Sequence, residues 1–251
     1  MNRHTLQGAC QALIASSILL AAASQAAAGP AAAGLTDCPS FDVLRKQEAD
    51  KIAARQLKPL TAEPTQPELR KELLAMMERD QSARSKASAS AKAHGGQPEQ
   101  SLILAIFQSD QDNVSRMAEI VEAKQFPDAS QVGRDGLRAA WLIAAHADRD
   151  PQLQAKLLAL LEPLAKKGDI VPQDFALLSD RVKVSQGLPQ LYGSQFRASG
   201  GISHPQPIEK PEGLEARRAE QGLLTMRDYG CLLQQFHGIP VDLTPNTQVI
   251  R

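Results

Sequence analysis

The chain has 251 residues with 28 basic and 28 acidic side chains, so its formal net charge is zero. No block or stripe of Lys and Arg occurs, which argues against nucleic acid or an anionic lipid surface as a partner. Aromatic residues make up only 4% of the chain. Together with abundant Ala and Leu, this composition favours a mostly α-helical fold.

The first 28 residues are typical of a secretory signal peptide. Arg3 precedes the apolar run ALIASSILLAAA at 12–23, and small residues in an Ala-x-Ala spacing follow it. This run is shorter than the roughly 20 apolar residues that a transmembrane helix needs. No later segment is longer and more apolar. We therefore predict a periplasmic or secreted protein that keeps no membrane span after cleavage.

Cleavage of that peptide would remove Cys10 and leave Cys38 and Cys231. Two cysteines in an oxidising compartment are most simply interpreted as one disulfide. Two separate thiols are the first alternative. Lipidation of Cys38, in the sequence LTDC, is the second, although Asp37 is not the small residue that such a site prefers.

The mature chain divides into three predicted segments. Residues 29–66 form an N-terminal extension with one helix, starting after Ser40, and a Pro-rich linker. Residues 67–237 form a single helical domain with one short β-hairpin, and residues 238–251 form a C-terminal tail. About 220 residues in total are enough for one domain with its own hydrophobic core.

The domain begins with a helix at Pro67 whose apolar stripe ends in polar side chains. Leu69, Leu73, Met76 and Met77 share one face, and the next positions on that face are Asp80, Gln81 and Arg84. This pattern predicts polar groups that point inward or line a cleft. Residues 85–100 lack periodicity and are predicted to form a surface loop that includes a frayed helix end, and Asp112 is predicted to cap the next helix.

A helix over 136–147 is apolar on nearly every face and contains Trp141, which predicts a central buried helix. His146 and Asp148 stand at its end. Further helices are predicted from Asp150-Pro151 and from Pro172. The stretch 190–208, with a Ser-Gly-Gly turn at 199–201, predicts the hairpin.

Seven fragments in this order resemble an uncharacterised bacterial family, a largely helical domain of unknown function. They are ELRKELLAMMERDQSAR, DNVSRMAEIVEAKQFP, AAWLIAAHADRDPQLQ, LLSDRV, PQLYGSQF, PQPIEKP and ARRAEQGL. The resemblance covers roughly residues 68–229. Two departures occur, since 124–127 replaces a His-Gly-Trp-Pro segment and Ser194 replaces a Thr. The resemblance implies an architecture and candidate residues but no activity.

Polar residues at the ends of these elements are predicted to converge on one site. His146, Asp148 and Asp180 are the candidate catalytic residues, with His146 transferring protons and an aspartate orienting it. The candidate ligand-binding residues are Arg181, Gln190, Tyr192, Gln195, Asp80, Gln81 and Arg84. The alternative to a site is a buried polar network in which every group is hydrogen-bonded and none reacts.

No motif points to a metal or a cofactor, and none is predicted. The His-x-x-x-His spacing of zinc helices, a Gly-rich phosphate loop and a Gly-x-Ser-x-Gly elbow are all missing from the sequence. Two functions follow as hypotheses. The first is an exported structural or ligand-binding module for an unknown small molecule or protein. The second is a periplasmic hydrolase-like enzyme that uses His146 as general acid or base.

Overall fold

The computed structural model describes residues 34–244 except 55, 56, 58, 59, 61, 95 and 125. The predicted signal peptide therefore lies outside the described residues. Eight α-helices occur in the described part: α1 Phe41–Ala54, α2 Pro67–Ala93, α3 Gln100–Lys124, α4 Ala129–Ala145, α5 Pro151–Lys167, α6 Pro172–Ser185, α7 Leu214–Glu220 and α8 Met226–His237. Strands β1 Phe196–Ser199 and β2 Ile202–Pro205 complete the element order, with a 3-10 turn at Pro211–Gly213.

The predicted fold class, mostly α with one short β-hairpin, is confirmed. The chain forms two compact units whose boundary falls within α6. We call residues 57–178 the helical unit. The described residues before 55, together with those from 179 onward, form the mixed unit. None of the described helices has both the length and the apolarity needed to cross a bilayer.

The helical unit is built around α4, which contains Trp141. An Asp128 capping box starts its first turn: the carboxylate accepts the N–H groups of Ser130 and Gln131, and the Gln131 side chain accepts the N–H of Asp128. Gly133, with φ of 72° and ψ of 168°, then kinks the helix, and Trp141 lies in the segment after this kink. Trp141 is 1% exposed, which confirms the prediction of a central buried helix. Leu73 and Met76 of α2 are also buried, as the apolar stripe predicted.

Two predicted boundaries in this unit are wrong. Helix α2 continues through the low-complexity stretch to Ala93, and α3 begins at Gln100 rather than at Asp112. Ala and Lys are strong helix formers, so this stretch needs little packing to stay helical. Ala87 nevertheless is buried, which gives the extension of α2 a packed face.

The mixed unit has its own hydrophobic core around α8. Strands β1 and β2 pair antiparallel, with Phe196 opposite Pro205, which confirms the predicted hairpin. The core residues are Leu44, Phe196, Leu214, Leu224, Met226, Tyr229, Cys231, Leu232, Leu233 and Val241. Because Leu44 belongs to α1, the N-terminal helix is part of this core.

A disulfide joins Cys38 to Cys231 and ties the segment before α1 to α8. The predicted pairing is therefore confirmed, and no thiol remains at Cys38 for a lipid. Part of the predicted tail is also packed. Val241 is 1% exposed and forms a bridge with Ser203, so residues up to about 243 contribute to the core rather than trail from it.

Candidate functional site

A cluster of polar side chains lies inside the helical unit, where α2, α3 and the end of α4 meet. We call it the acidic–histidine cluster, and its members are Asp80, Gln81, Arg84, Asp110 and His146. Asp80 lies four residues after Met76 and therefore on the same inward face of α2. It is only 2% exposed. The predicted change of the α2 stripe from apolar to polar residues thus occurs inside the unit.

Asp80 is the centre of the cluster. Its Oδ1 lies 2.8 Å from Nδ1 of His146 and accepts a 3.1 Å hydrogen bond from Nε of Arg84. Its Oδ2 accepts a 2.6 Å bond from the Gln81 amide. Burial by itself would raise the pKa of Asp80. The charges of His146 and Arg84 and the hydrogen bonds outweigh burial and hold this pKa well below its usual value.

Arg84 links Asp80 to a second carboxyl group, that of Asp110 on α3. The guanidinium donates one hydrogen bond to Asp80 and another, through Nη2, to Oδ1 of Asp110. Burial raises the pKa of Asp110 to about 6, and the nearby charge of Asp80 acts in the same direction while Arg84 opposes both. Two neighbouring carboxyl groups thus have pKa values shifted in opposite directions, an arrangement that suits acid–base chemistry.

The raised pKa of Asp110 predicts a defined pH dependence of stability. The group titrates near its ordinary value of 3.8 when unfolded and near 6 when folded. Between these values the folded state binds more protons, so the contribution of Asp110 to the free energy of unfolding falls as pH rises through this window. Relative to wild type, Asp110→Asn should therefore gain about 2–3 kcal/mol between about pH 4 and pH 7.

Urea unfolding at the two pH values measures this gain. Asp112→Asn is the matched control, because Asp112 lies on the same helix, is exposed and accepts a hydrogen bond from Gln108. A stability difference between Asp110→Asn and wild type that does not change with pH would contradict the raised pKa.

The cluster also has a geometry that a cation could occupy. Asp80, Asp110 and His146 each offer one ligand atom, and these atoms all lie within 4.8 Å of one another. However, the guanidinium of Arg84 already hydrogen-bonds to both carboxylates and supplies positive charge between them. A divalent ion would have to displace it. Proton transfer is therefore a better explanation of this cluster than metal binding.

The end of α4 is held by Gln154, a fully buried residue of α5. Its amide nitrogen donates to the carbonyl groups of Ala144 and Ala145, at 3.3 Å each, and to Oδ1 of Asp148 at 3.1 Å. Both carbonyl groups belong to the last turn of the helix, where no i+4 N–H of the helix reaches them, and that of Ala144 also accepts the N–H of Ala147. Gln154 therefore fixes the backbone immediately before His146.

The other predicted site residues form a second group, in the mixed unit. The carboxylate of Asp180 accepts the backbone N–H groups of Leu191 at 2.7 Å, Tyr192 at 3.0 Å and Ser194 at 2.9 Å. Burial raises the pKa of Asp180, although these hydrogen bonds oppose the increase. Asp180 thus anchors the loop at 190–195.

The carbonyl groups of this loop are held by arginines that the sequence analysis did not single out. Arg217 donates to the carbonyl of Leu191, and Arg218, only 1% exposed, donates to that of Tyr192. Burial lowers the pKa of Arg218. With N–H groups bound by a carboxylate and carbonyl groups bound by guanidinium groups, the loop is fixed from both sides.

Gln190 and Gly193 also stabilise the loop at 190–195. The Gln190 amide nitrogen donates to the carbonyl groups of Gln195 and Gln206, and its oxygen accepts the N–H of Gln195. Gly193 has φ of 67°, and a Cβ there would lie 2.9 Å from Sδ of Met226. Only glycine suits both conditions. The Gln190 side chain therefore binds backbone groups on both its nitrogen and its oxygen, whereas the Gln195 amide donates to Oγ of Ser194.

The structure thus brings the predicted residues together in two groups. Asp80, Gln81, Arg84 and His146 meet in the helical unit, and Asp148 contacts Gln154. Asp180, Gln190, Tyr192 and Gln195 meet in the mixed unit, where Arg181 also lies on α6. The aspartate that contacts His146 is Asp80, which the sequence analysis had placed among ligand-binding residues. Asp110 was missed because α3 was predicted to start after it.

The chain matches the sequence profile of a protein family. No curated protein and no solved structure is significantly similar to it. A family profile covers residues 67–242, which include the whole acidic–histidine cluster and the loop at 190–195 but not α1 or Cys38. The chain therefore belongs to a family of unknown function, DUF6624.

Proposed function

We propose that this is an exported protein that binds a small molecule at the acidic–histidine cluster and transfers protons to or from it through His146, as a hydrolase does. The observation that carries this proposal is the 2.8 Å contact between Nδ1 of His146 and the carboxylate of Asp80. A carboxylate at Nδ1 fixes the tautomer and orientation of an imidazole and stabilises its protonated form. Proton exchange with the ligand then takes place at Nε2.

The surroundings of the pair support this role. Asp80 is held ionised by Arg84, Gln81 and His146, so it can orient the imidazole without taking up its proton. Gln154 fixes the backbone on the N-terminal side of His146. A general base held in this way by its neighbours is pre-organised for proton transfer.

A second candidate function is structural. The side chains of Asp80 and His146 are 2% and 3% exposed, and each makes hydrogen bonds within the unit. Such a buried network can hold three helices in register without any chemistry. The two candidates differ in what the loss of His146 should do to stability.

Under the proposed function, His146→Ala should leave the melting temperature nearly unchanged and abolish ligand binding and turnover. The physical reason is that Asp80 keeps its bonds from Arg84 and Gln81, so no carboxylate is left without a partner. A structural role predicts instead a loss of about 1–4 kcal/mol. Thermal and urea unfolding of wild type and His146→Ala measure the difference.

Ligands are sought by a thermal-shift screen of small molecules, with ester, amide and phosphoester substrates assayed in parallel. His94→Ala is the matched control, because His94 is an exposed histidine of the same unit whose ring bonds to Ser90, one turn before it at the end of α2. Binding or turnover that survives in His146→Ala, or a large loss of its stability, would reject the proposed site.

Export is supported by the signal-peptide pattern at 1–28 and by the disulfide between Cys38 and Cys231, a bond typical of oxidising compartments. The mature protein should begin between Ala27 and Gly34 and be found in the periplasm or outside the cell. N-terminal sequencing after cell fractionation tests this. Recovery of a cytoplasmic protein that still starts at Met1 would refute it.

A further inference from the structure

The charges in the acidic–histidine cluster limit the number of protons that it can hold. Asp80 and Arg84 are opposite charges in direct contact, so together they contribute no net charge. Asp110 and His146 are the remaining titratable members. If both lacked a proton, the cluster would be negative, and if both carried one, it would be positive. Either state places a net charge in a region from which water is largely excluded, which is costly.

We infer that Asp110 and His146 share one proton, so that the cluster stays neutral whichever of them holds it. When the proton is on Asp110, its carboxyl group and the imidazole are both neutral. When it is on His146, the imidazolium and the Asp110 carboxylate lie within 4.8 Å of each other, and the charge of the whole is again zero. This inference rests on the proton-transfer role proposed for His146 and assigns its second proton-exchanging group.

Geometry supports the coupling of these two groups. One carboxylate oxygen each of Asp80 and Asp110 and one ring nitrogen of His146 lie within 4.8 Å of one another. Charges at this distance in a protein interior interact strongly. Arg84 hydrogen-bonds to both carboxylates. A change in the charge of Asp110 therefore changes the interaction of Arg84 with Asp80, and through Asp80 it affects His146. The raised pKa of Asp110 is in keeping with a carboxyl group that holds a proton near neutral pH.

The exposure of the side chains favours Asp110 as the group that exchanges protons with water. The side chain of Asp110 is 12% exposed and that of Arg84 is 14% exposed, against 2% for Asp80 and 3% for His146. Asp110 is therefore the titratable member of the cluster that is nearest to solvent. A buried general acid or base must exchange its proton with water between turnovers, and Asp110 provides that exchange for His146.

The test is NMR of the ligand-free protein, with ¹⁵N in histidine side chains and ¹³C in aspartate carboxyl groups, followed as a function of pH. In wild type the Asp110 carboxyl carbon and the His146 ring nitrogens should change over the same pH range, since coupled groups titrate as a pair. In Asp110→Asn, the carboxylate left beside protonated His146 is that of Asp80, whose charge Arg84 already balances. The titration of His146 should move to lower pH by about one unit, or tenfold in proton affinity.

Asp112→Asn is the control and should leave the His146 titration in place. Separate titrations of Asp110 and His146 in wild type would overturn the inference. A His146 curve in Asp110→Asn that superimposes on wild type would overturn it as well. The wild-type measurement decides the matter even if the variant does not fold. Because no ligand is present, coupled titration in a protein that binds and converts nothing would reject the proposed function and leave the shared proton standing.

Discussion

Trp141→Ala should lower the free energy of unfolding by about 3–5 kcal/mol, the range found when large buried aromatic residues are truncated. The indole is 1% exposed in the middle of α4, so its removal leaves a cavity among side chains that can only partly collapse. Its Nε1 also donates a 3.0 Å hydrogen bond to the carbonyl of Asp174, and the guanidinium of Arg138 lies 5.3 Å from the ring centroid.

Trp141→Phe is the matched control, because it keeps most of the aromatic volume and loses only the hydrogen bond and part of the cation–π contact. It should therefore cost much less than the alanine variant. Urea unfolding followed by far-UV circular dichroism measures both. Fluorescence of the wild type adds a second check, since a buried indole emits at short wavelength and resists quenchers. A solvent-like, fully quenchable emission would contradict the central position of α4.

Removal of the Cys38–Cys231 disulfide should have an effect of similar size. The bond spans 193 residues, and the chain-entropy model assigns about 5 kcal/mol to a loop of that length, an upper figure. The Cα atoms lie 5.6 Å apart, within the usual range for a disulfide. We expect the reduced protein and the Cys38→Ser, Cys231→Ser double variant to unfold at clearly lower denaturant concentrations than the oxidised wild type.

The loss should be limited by packing that does not depend on the bond. Leu44 of α1 is fully buried in the core of the mixed unit, and Phe41 stacks on Phe236 of α8. The double variant should therefore remain folded, and its unfolding should not respond to reductant. Thiol counting in denaturant provides the chemical check. Two reactive thiols in mature protein that was purified without reductant would refute the bond.

Local sequence patterns were sufficient for much of the fold. Caps and prolines marked several helix starts, the Ser-Gly-Gly turn marked the hairpin, and the apolar helix around Trp141 marked the core. The predicted end of α2 before residue 85 was wrong for a physical reason. Ala-, Ser- and Lys-rich segments carry no hydrophobic period, yet their helix propensity is high enough to extend α2 once the helix is nucleated.

The site was predicted only in part, and the difference lies in long-range contacts. The position of Asp80 on the inward face of α2 and that of His146 at the end of an apolar helix could be deduced from periodicity. Their mutual contact could not, because 66 residues separate them and the packing of α2 against α4 decides it. Asp110 reaches the cluster through the packing of α3, for which its own neighbours in sequence give no signal.

By itself, the sequence determined properties that depend on composition and local periodicity: a helical fold, a buried tryptophan and a pair of cysteines that form a disulfide. The tertiary structure alone decided which polar residues meet. In the mixed unit it brought Asp180 and Gln190 to the loop at 190–195, which they fix through backbone hydrogen bonds, and in the helical unit it brought Asp80, Arg84 and Asp110 to His146. Hydrogen bonds and charge interactions act over a few ångströms, so only the packing of distant segments can select their partners.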